Sequence, residues 1–227
     1  MKHAKRHPLI FGTIILTATG LITRVIGFFY RIYLSRLFGE EGMGIYQLLS
    51  PALSLSFSLT AAGYQTAISK YVAADSAKRP SGNLKPLLAG ISITLPLSLV
   101  TNAILFFSAD PIGIFLLKDH RTVPMLRILS FSVPFAALHA CINGYFYGKK
   151  KASVPALTQL LEQLARVSCV FLVTGADLAE GRTPSINAAV LGLTVGEIFS
   201  MLIALVCLYI HLYPDSSILS LQNICPS

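Results

Sequence analysis

Apolar stretches of about 20 residues recur along the chain between short polar segments, and each is long enough to cross a bilayer as a helix. Six spans follow: Leu9 to Phe38, Gly44 to Val72, Leu87 to Ser108, Pro124 to Tyr147, Pro155 to Thr174 and Ile186 to His211. The first is long for a straight crossing, so it is expected to tilt, to bend near Gly20 or Gly27, or to extend beyond the bilayer. Pro96 and Pro134 are expected to kink the third and fourth spans. Gly39, Glu40, Glu41, Gly42 and Gly44 read as a short turn that makes the first two helices antiparallel neighbours. No connection is long enough for a separate soluble domain. The predicted architecture is an all-α integral-membrane fold, a six-helix transmembrane bundle over residues 1–212 with a short cytoplasmic tail at 213–227.

Composition agrees with the pattern. Of 227 residues, 54% are hydrophobic and 12% charged, against roughly a quarter charged in soluble domains, and the mean hydropathy is +0.67. The net charge of +8 does not point to nucleic acid, because the basic residues lie between spans rather than on one soluble face interleaved with stacking aromatics. They act instead as topology signals. Lys2, Lys5 and Arg6, then Lys78, Arg79 and Lys85, then Lys149, Lys150 and Lys151 make alternate connections basic. The intervening ones are acidic or mixed: Glu40 and Glu41; Asp110, Lys118, Asp119 and Arg121; Asp177, Glu180 and Arg182. That alternation puts the N-terminus and the tail of a multi-pass membrane protein in the cytoplasm. The N-terminal basic residues ahead of an apolar run resemble a signal peptide, but no small-residue cleavage site ends the run, so an uncleaved first helix is expected.

The polar residues inside the spans carry the functional signal. Thr13, Thr17, Gly20, Arg24, Gly27, Arg31 and Ser35 recur at three- and four-residue intervals, so Arg24 and Arg31 point the same way from a stripe of small residues. A guanidinium in hydrocarbon is tolerated only toward a bundle interior, a watery cavity or an anionic partner; for Arg31, snorkelling to the outer interface is the alternative. In the second span Gln47, Ser50, Ser54, Ser58 and Gln65 lie near one side, and the serines read as ordinary small-residue packing.

In the fifth span Gln159, Glu162, Arg166 and Cys169 share a face, with the acid one turn before the base. Arg166 lies roughly 16 Å past Pro155 at a rise of about 1.5 Å per residue, mid-bilayer. In the sixth, Asn187, Thr194 and Glu197 share a face. Glu162 and Arg166 neutralising each other as a packing device is one reading; it leaves Arg24 and Arg31 as a positive excess suited to an anion such as phosphate, whose oxygens match the guanidinium fork. His139 and Asn143 read as polar residues that satisfy backbone groups. Cys141, Cys169 and Cys207 fall inside apolar spans as packing residues. No cofactor, metal site or catalytic group is expected, since no phosphate-binding loop, zinc-ligand spacing or nucleophile elbow occurs.

Two stretches resemble the stage V sporulation protein B family: Gly20, Thr23, Arg24, Gly27, Phe28, Tyr30, Arg31, Ser35, Arg36, Phe38 and Gly39 through Gly42, Gly44, Tyr46 and Gln47, and then Asn143, Gly144, Tyr145, Phe146 and Gly148 through Gln159, Glu162, Gln163 and Arg166. This family of polysaccharide-biosynthesis membrane proteins is related to the lipid II flippases of peptidoglycan synthesis, within the multidrug/oligosaccharidyl-lipid/polysaccharide exporter superfamily. The resemblance implies one lobe of a two-lobe MATE-like transporter with alternating access. It also implies a substrate of polyprenyl-pyrophosphate-linked saccharide, the precursor of envelope or spore-cortex polymers. Arg24, Arg31, Arg166 and Gln47 would bind that anionic substrate, and Glu162 and Glu197 would tune the charge or carry a coupling ion. Arg24 matches a functional arginine of the lipid II flippases; their second first-helix arginine aligns with Tyr30, one place before Arg31, and an arginine of their second helix falls near Ser58. Family members carry a second lobe, so the partners expected are the lipid bilayer, the lipid-linked saccharide and a C-terminal lobe supplied by another chain. The alternatives are a cation-coupled multidrug exporter using Glu162 or Glu197, and a non-transporting membrane module.

Overall fold

The computed structural model describes residues 7–78 and 84–213, and among them there is no strand. Lys2, Lys5, Arg6 and Arg79, used above as topology signals, and tail residues 214–227 lie outside the described residues. Helix α1 (His7–Leu48) is followed by α2 (Ser50–Phe57), a π-helical turn over Ser58–Ala62, and α3 (Gly63–Lys78). Then come α4 (Lys85–Phe107), the short α5 (Ala109–Pro111) with a second π turn over Ile112–Leu116, α6 (Thr122–Gly148), α7 (Ser153–Ala179) and α8 (Asn187–Leu212).

The apolar helical run from Gly12 to Ser76 is 65 residues, which would be about 98 Å if straight, some three times the thickness of a hydrocarbon core. It bends at Gly39, whose φ of 70° and ψ of −178° leave the helical region at a value that favours glycine. The bend divides the run into two crossings, and with α4, α6, α7 and α8 they make a six-span all-α membrane bundle.

Two expectations are corrected here. The turn predicted over Gly39 to Gly44 contracts to Gly39 alone, with helix resuming at Glu40. The two arms are also not packed neighbours: α1 lies along α7, whereas α3 lies along α6 and α4. Their uncovered surfaces carry Arg24, Arg31, Gln47, Ser50, Ser54 and Ser58, all exposed, beside exposed apolar residues such as Leu21, Phe28 and Leu55. The serine stripe therefore does not serve as helix packing; the second arm buries Ser56, Thr60 and Ala61 instead. Helices α4 and α6 continue through Pro96 and Pro134 without ending.

Helix α6 is the centre, packed by α3, α4 and α8. One apolar core gathers Leu126, Leu129 and Val133 with Ile45, Leu49, Val190 and Leu193. A second gathers Cys141, Ile142, Tyr145 and Phe146 with Ile68, Val72, Ala204 and Cys207. A third joins Tyr30, Leu34 and Met43 to Val170 and Ala189. Cys141 and Cys207 thus serve as packing residues, and Cys169 is half-buried.

Close backbone approach at glycines sets the helix spacing. A Cβ on Gly144 would lie 2.6 Å from the Gln65 carbonyl oxygen, and one on Gly148 2.7 Å from that of Ser69, fixing α6 against α3. Gly192 and Gly196 do the same for α8 against α7, beside the Arg166 and Glu162 carbonyl oxygens at 2.9 and 3.1 Å. Such small-residue seams are how helices approach closely in lipid.

The charges at and near the connections gather at the two ends. Arg121 bridges Glu41 at 2.6 Å and Asp119 at 3.2 Å, Arg127 pairs with Asp110, and Arg182 with Asp177 and Glu180, all at the Gly39 end. Lys151 meets His211 at 3.4 Å at the other.

Candidate functional site

The site is built between the two main α6 cores, where His139 interrupts the apolar sequence of the central helix. The ring does not satisfy backbone, contrary to expectation; it is held by side chains. Ser200 Oγ of α8 lies 2.8 Å from Nε2 and 3.1 Å from Nδ1, and Asn143 Nδ2, one turn along α6, is 2.8 Å from Nε2. Thr158 Oγ1 donates in turn to Asn143 Oδ1 at 3.4 Å. Polar side chains this deep have few backbone groups to reach, since the helices satisfy their own.

Glu197 Oε2 is 3.7 Å from His139 Nδ1. Glu162, facing the same space from α7, also forms an ion pair with Arg166 one turn on, as its spacing predicted. His139, Glu162 and Glu197 line a cavity of about 220 Å³ together with Gln65, Asn143 and Gln159. Each side chain of the pair retains about a fifth of its exposure, so the pair is not sealed within the packing.

Arg166 meets Glu162 through Nη2. Among the described residues its Nε is buried with no acceptor, and the hydroxyl of Tyr30, only 8% exposed, is likewise buried without one. Tyr30 lies within electrostatic reach of Arg166 and Tyr46. Two neighbouring buried donors without acceptors are costly unless something supplies the oxygens.

Arg31 lines a second cavity of about 160 Å³ with Tyr46, Gln47 and Ser50, so the structure brings two of the expected substrate residues together across the Gly39 bend. Arg24 stands apart from both cavities, exposed on α1 and with no hydrogen bond or ion pair among the described residues. Its stripe flanks the side of α1 that meets α7: a Cβ on Gly27 would sit 3.5 Å from the Gln163 amide, while one on Gly20 would meet nothing. Tyr33 fastens that α1–α7 contact, with its hydroxyl 2.8 Å from Thr174 Oγ1 and its ring stacked on Phe171. On α8, Thr194 donates to the Ile128 carbonyl at 3.3 Å, tying α8 to α6 beside Glu197.

Sequence reasoning missed Ser200, although it lies three residues after Glu197 and so shares its face, a usable signal. That reasoning named Tyr30 only as the position aligned with a flippase arginine, and the burial of its hydroxyl beside Arg166 emerges only from the packing.

A family model described as polysaccharide biosynthesis protein matches residues 9–227. The chain belongs to that family. It is 36% identical over 197 residues to the stage V sporulation protein B of Bacillus subtilis (strain 168), covering 86% of this chain and 38% of that protein. It is 27% identical over 179 residues to the lipid II flippase MurJ of the same organism, covering 75% and 32%. The uncharacterized membrane protein YabM matches at 27% over 164 residues, covering 72% and 30%. The chain thus spans about a third of the length of the curated relatives it matches. No solved structure matches it. Family membership and the apolar helices together make it a multi-pass membrane protein.

Proposed function

We propose that this chain forms the N-terminal lobe of a flippase-type transporter that moves polyprenyl-pyrophosphate-linked saccharides across the inner membrane by alternating access, with its N-terminus in the cytoplasm. The observation that carries the reading is an excess of hydrogen-bond donors. The Arg24 and Arg31 guanidiniums are exposed on the open surface of the arms, and among the described residues Arg166 Nε and the Tyr30 hydroxyl are buried without acceptors. A pyrophosphate is the ligand class that supplies oxygens to such a set, with guanidinium forks reading them bidentately. Gln47, beside Arg31, contributes an amide to the same surface, and Glu162 and Glu197 set the charge that Arg166 presents. The resemblance to the sporulation protein and to the lipid II flippase supports this cargo class. Alternating access requires a second lobe for this one to rock against.

The test is complementation. The chain, alone and co-expressed with a family C-terminal lobe, is placed in cells depleted of their own lipid II flippase, and survival and precursor accumulation are followed. Rescue with both lobes, lost in Arg24→Ala and partly restored by Arg24→Lys, is the expected outcome, because lysine keeps the charge without the fork. Wild-type rescue by Arg24→Ala sinks the assignment. A second reading, a cation-coupled exporter of the same superfamily, is favoured by one observation, the pair of carboxylates facing one cavity; drug efflux abolished by Glu197→Gln is its signature.

A further inference from the structure

Three helices each contribute one metal-competent side chain to the cavity beside α6. His139 of α6, Glu162 of α7 and Glu197 of α8 offer ligand atoms that all lie within 4.8 Å of one another. No ligand spacing in the sequence announces such a set, because the three are separated by more than twenty residues in each interval and meet only when the helices pack.

The local chemistry asks for a cation. Arg166 can compensate only one of two carboxylates, and two like charges this close disfavour each other unless a proton or cation lies between them. The imidazole is 8% exposed and held by Ser200 and Asn143. Asn143 Nδ2 donates to Nε2, since Asn143 Oδ1 already accepts from Thr158. Nε2 therefore holds the lone pair, and Nδ1–H is directed to Ser200 Oγ at 3.1 Å. A cation bound here takes that lone pair in place of the amide, and the Nδ1–H bond to Ser200 is the outer-shell arrangement that commonly orients a ligating histidine. The helix seam reinforces the placement: Gly196 lets α8 approach α7 next to Glu162, which brings Glu197 and Glu162 onto the same cavity. A volume of about 220 Å³ leaves room for an ion and coordinating water, with the Gln65 and Gln159 amides on its wall.

We propose that His139, Glu162 and Glu197 bind a divalent first-row transition cation, and that its binding draws Glu162 away from Arg166. One imidazole with two carboxylates is a borderline donor set suited to zinc, cobalt or manganese rather than to an alkali ion, which takes oxygen ligands. The site deepens the charge-tuning role given above to Glu162 and Glu197. Because Glu162 is shared, cation occupancy frees the guanidinium for an anion, and by linkage the anion strengthens cation binding.

The test uses the full chain purified in detergent and stripped with chelator, with Co²⁺ as the probe, read by its visible absorption and by calorimetry. Saturable binding near one ion per chain is expected. His139→Ala and Glu197→Gln are each expected to weaken it by at least about tenfold. Ser200→Ala, a positioning change that removes no ligand and little volume, is expected to weaken it by about 10–100-fold. Arg166→Gln is expected to tighten it, since Glu162 loses its competitor; an adventitious surface site has no reason to respond in that direction. Size-exclusion profiles report folding of each variant. Absence of saturable binding, binding indifferent to Glu197→Gln and Ser200→Ala in folded protein, or a site that takes Na⁺ but not Co²⁺ would each overturn the proposal. Metal binding is read without transport, so a lobe that binds Co²⁺ but fails complementation refutes the flippase reading and leaves this one standing.

Discussion

Replacing Gly144 with alanine tests whether the α3–α6 seam sets the geometry of the cavity. The new Cβ would sit 2.6 Å from the Gln65 carbonyl oxygen and 3.2 Å from its Cα. Ordinary contact begins near 3.4 Å, so the helices must separate by about 0.8 Å. The opposing atoms are backbone, and no rotamer change can relieve them. Overpacking of this kind costs roughly 1–3 kcal/mol, and the absence of a side-chain escape places Gly144→Ala toward the upper end. Gln65 lies on the cavity wall opposite Asn143, so the displacement also widens the site. The control is Gly175→Ala in α7, where an added Cβ meets nothing within 4 Å and helix propensity favours alanine. Thermal unfolding of the purified chain in detergent should show a clear loss for Gly144→Ala and none, or a small gain, for Gly175→Ala. Equal stability of the two variants would refute the argument that backbone contact at Gly144 fixes the helix spacing.

Two further outcomes follow from the charges. Arg166→Ala leaves Glu162 beside Glu197 without its counter-charge; breaking a buried pair costs roughly 3–5 kcal/mol, discounted here to about 1–3 kcal/mol because both side chains keep about a fifth of their exposure. The double variant Arg166→Ala/Glu162→Gln should recover most of that loss by removing the uncompensated charge, and a double variant no more stable than the single one would contradict the pairing.

At the Gly39 end, the side-chain hydrogen bond from Arg121 holds the Asp119 carboxyl below its usual range, and Asp119 and Glu41 raise Arg121, which stays charged throughout. A depressed acid contributes order that is present above its unfolded value and lost as pH falls through its folded value. The segment from Leu117 to Val123 should therefore stay protected in hydrogen exchange at pH 5 and loosen only below about 3.9, the ordinary aspartate value. Asp119→Asn should remove that acid transition; a wild-type segment already loose between pH 5 and 7 would count against the clamp.

The spans were legible because lipid imposes a length and a composition. Helices α4, α6, α7 and α8 begin and end within a few residues of the apolar runs that predicted them. The Glu162–Arg166 pair was legible too, since partners four apart on one helix need no tertiary information. Hydropathy could not say which helices touch. The divergence of the two arms, the central position of α6 and the exposure of the serine stripe are decided by which helices pack together, and Gly144 or Gly192, which set the α3–α6 and α7–α8 seams, look like any other small residue until a backbone arrives opposite. The junction of His139, Glu162 and Glu197 is likewise a product of packing. Each lies on its own helix with no shared period, so the sequence determined that polar groups would be present in the membrane, and only the approach of α6, α7 and α8 decided that these three would meet.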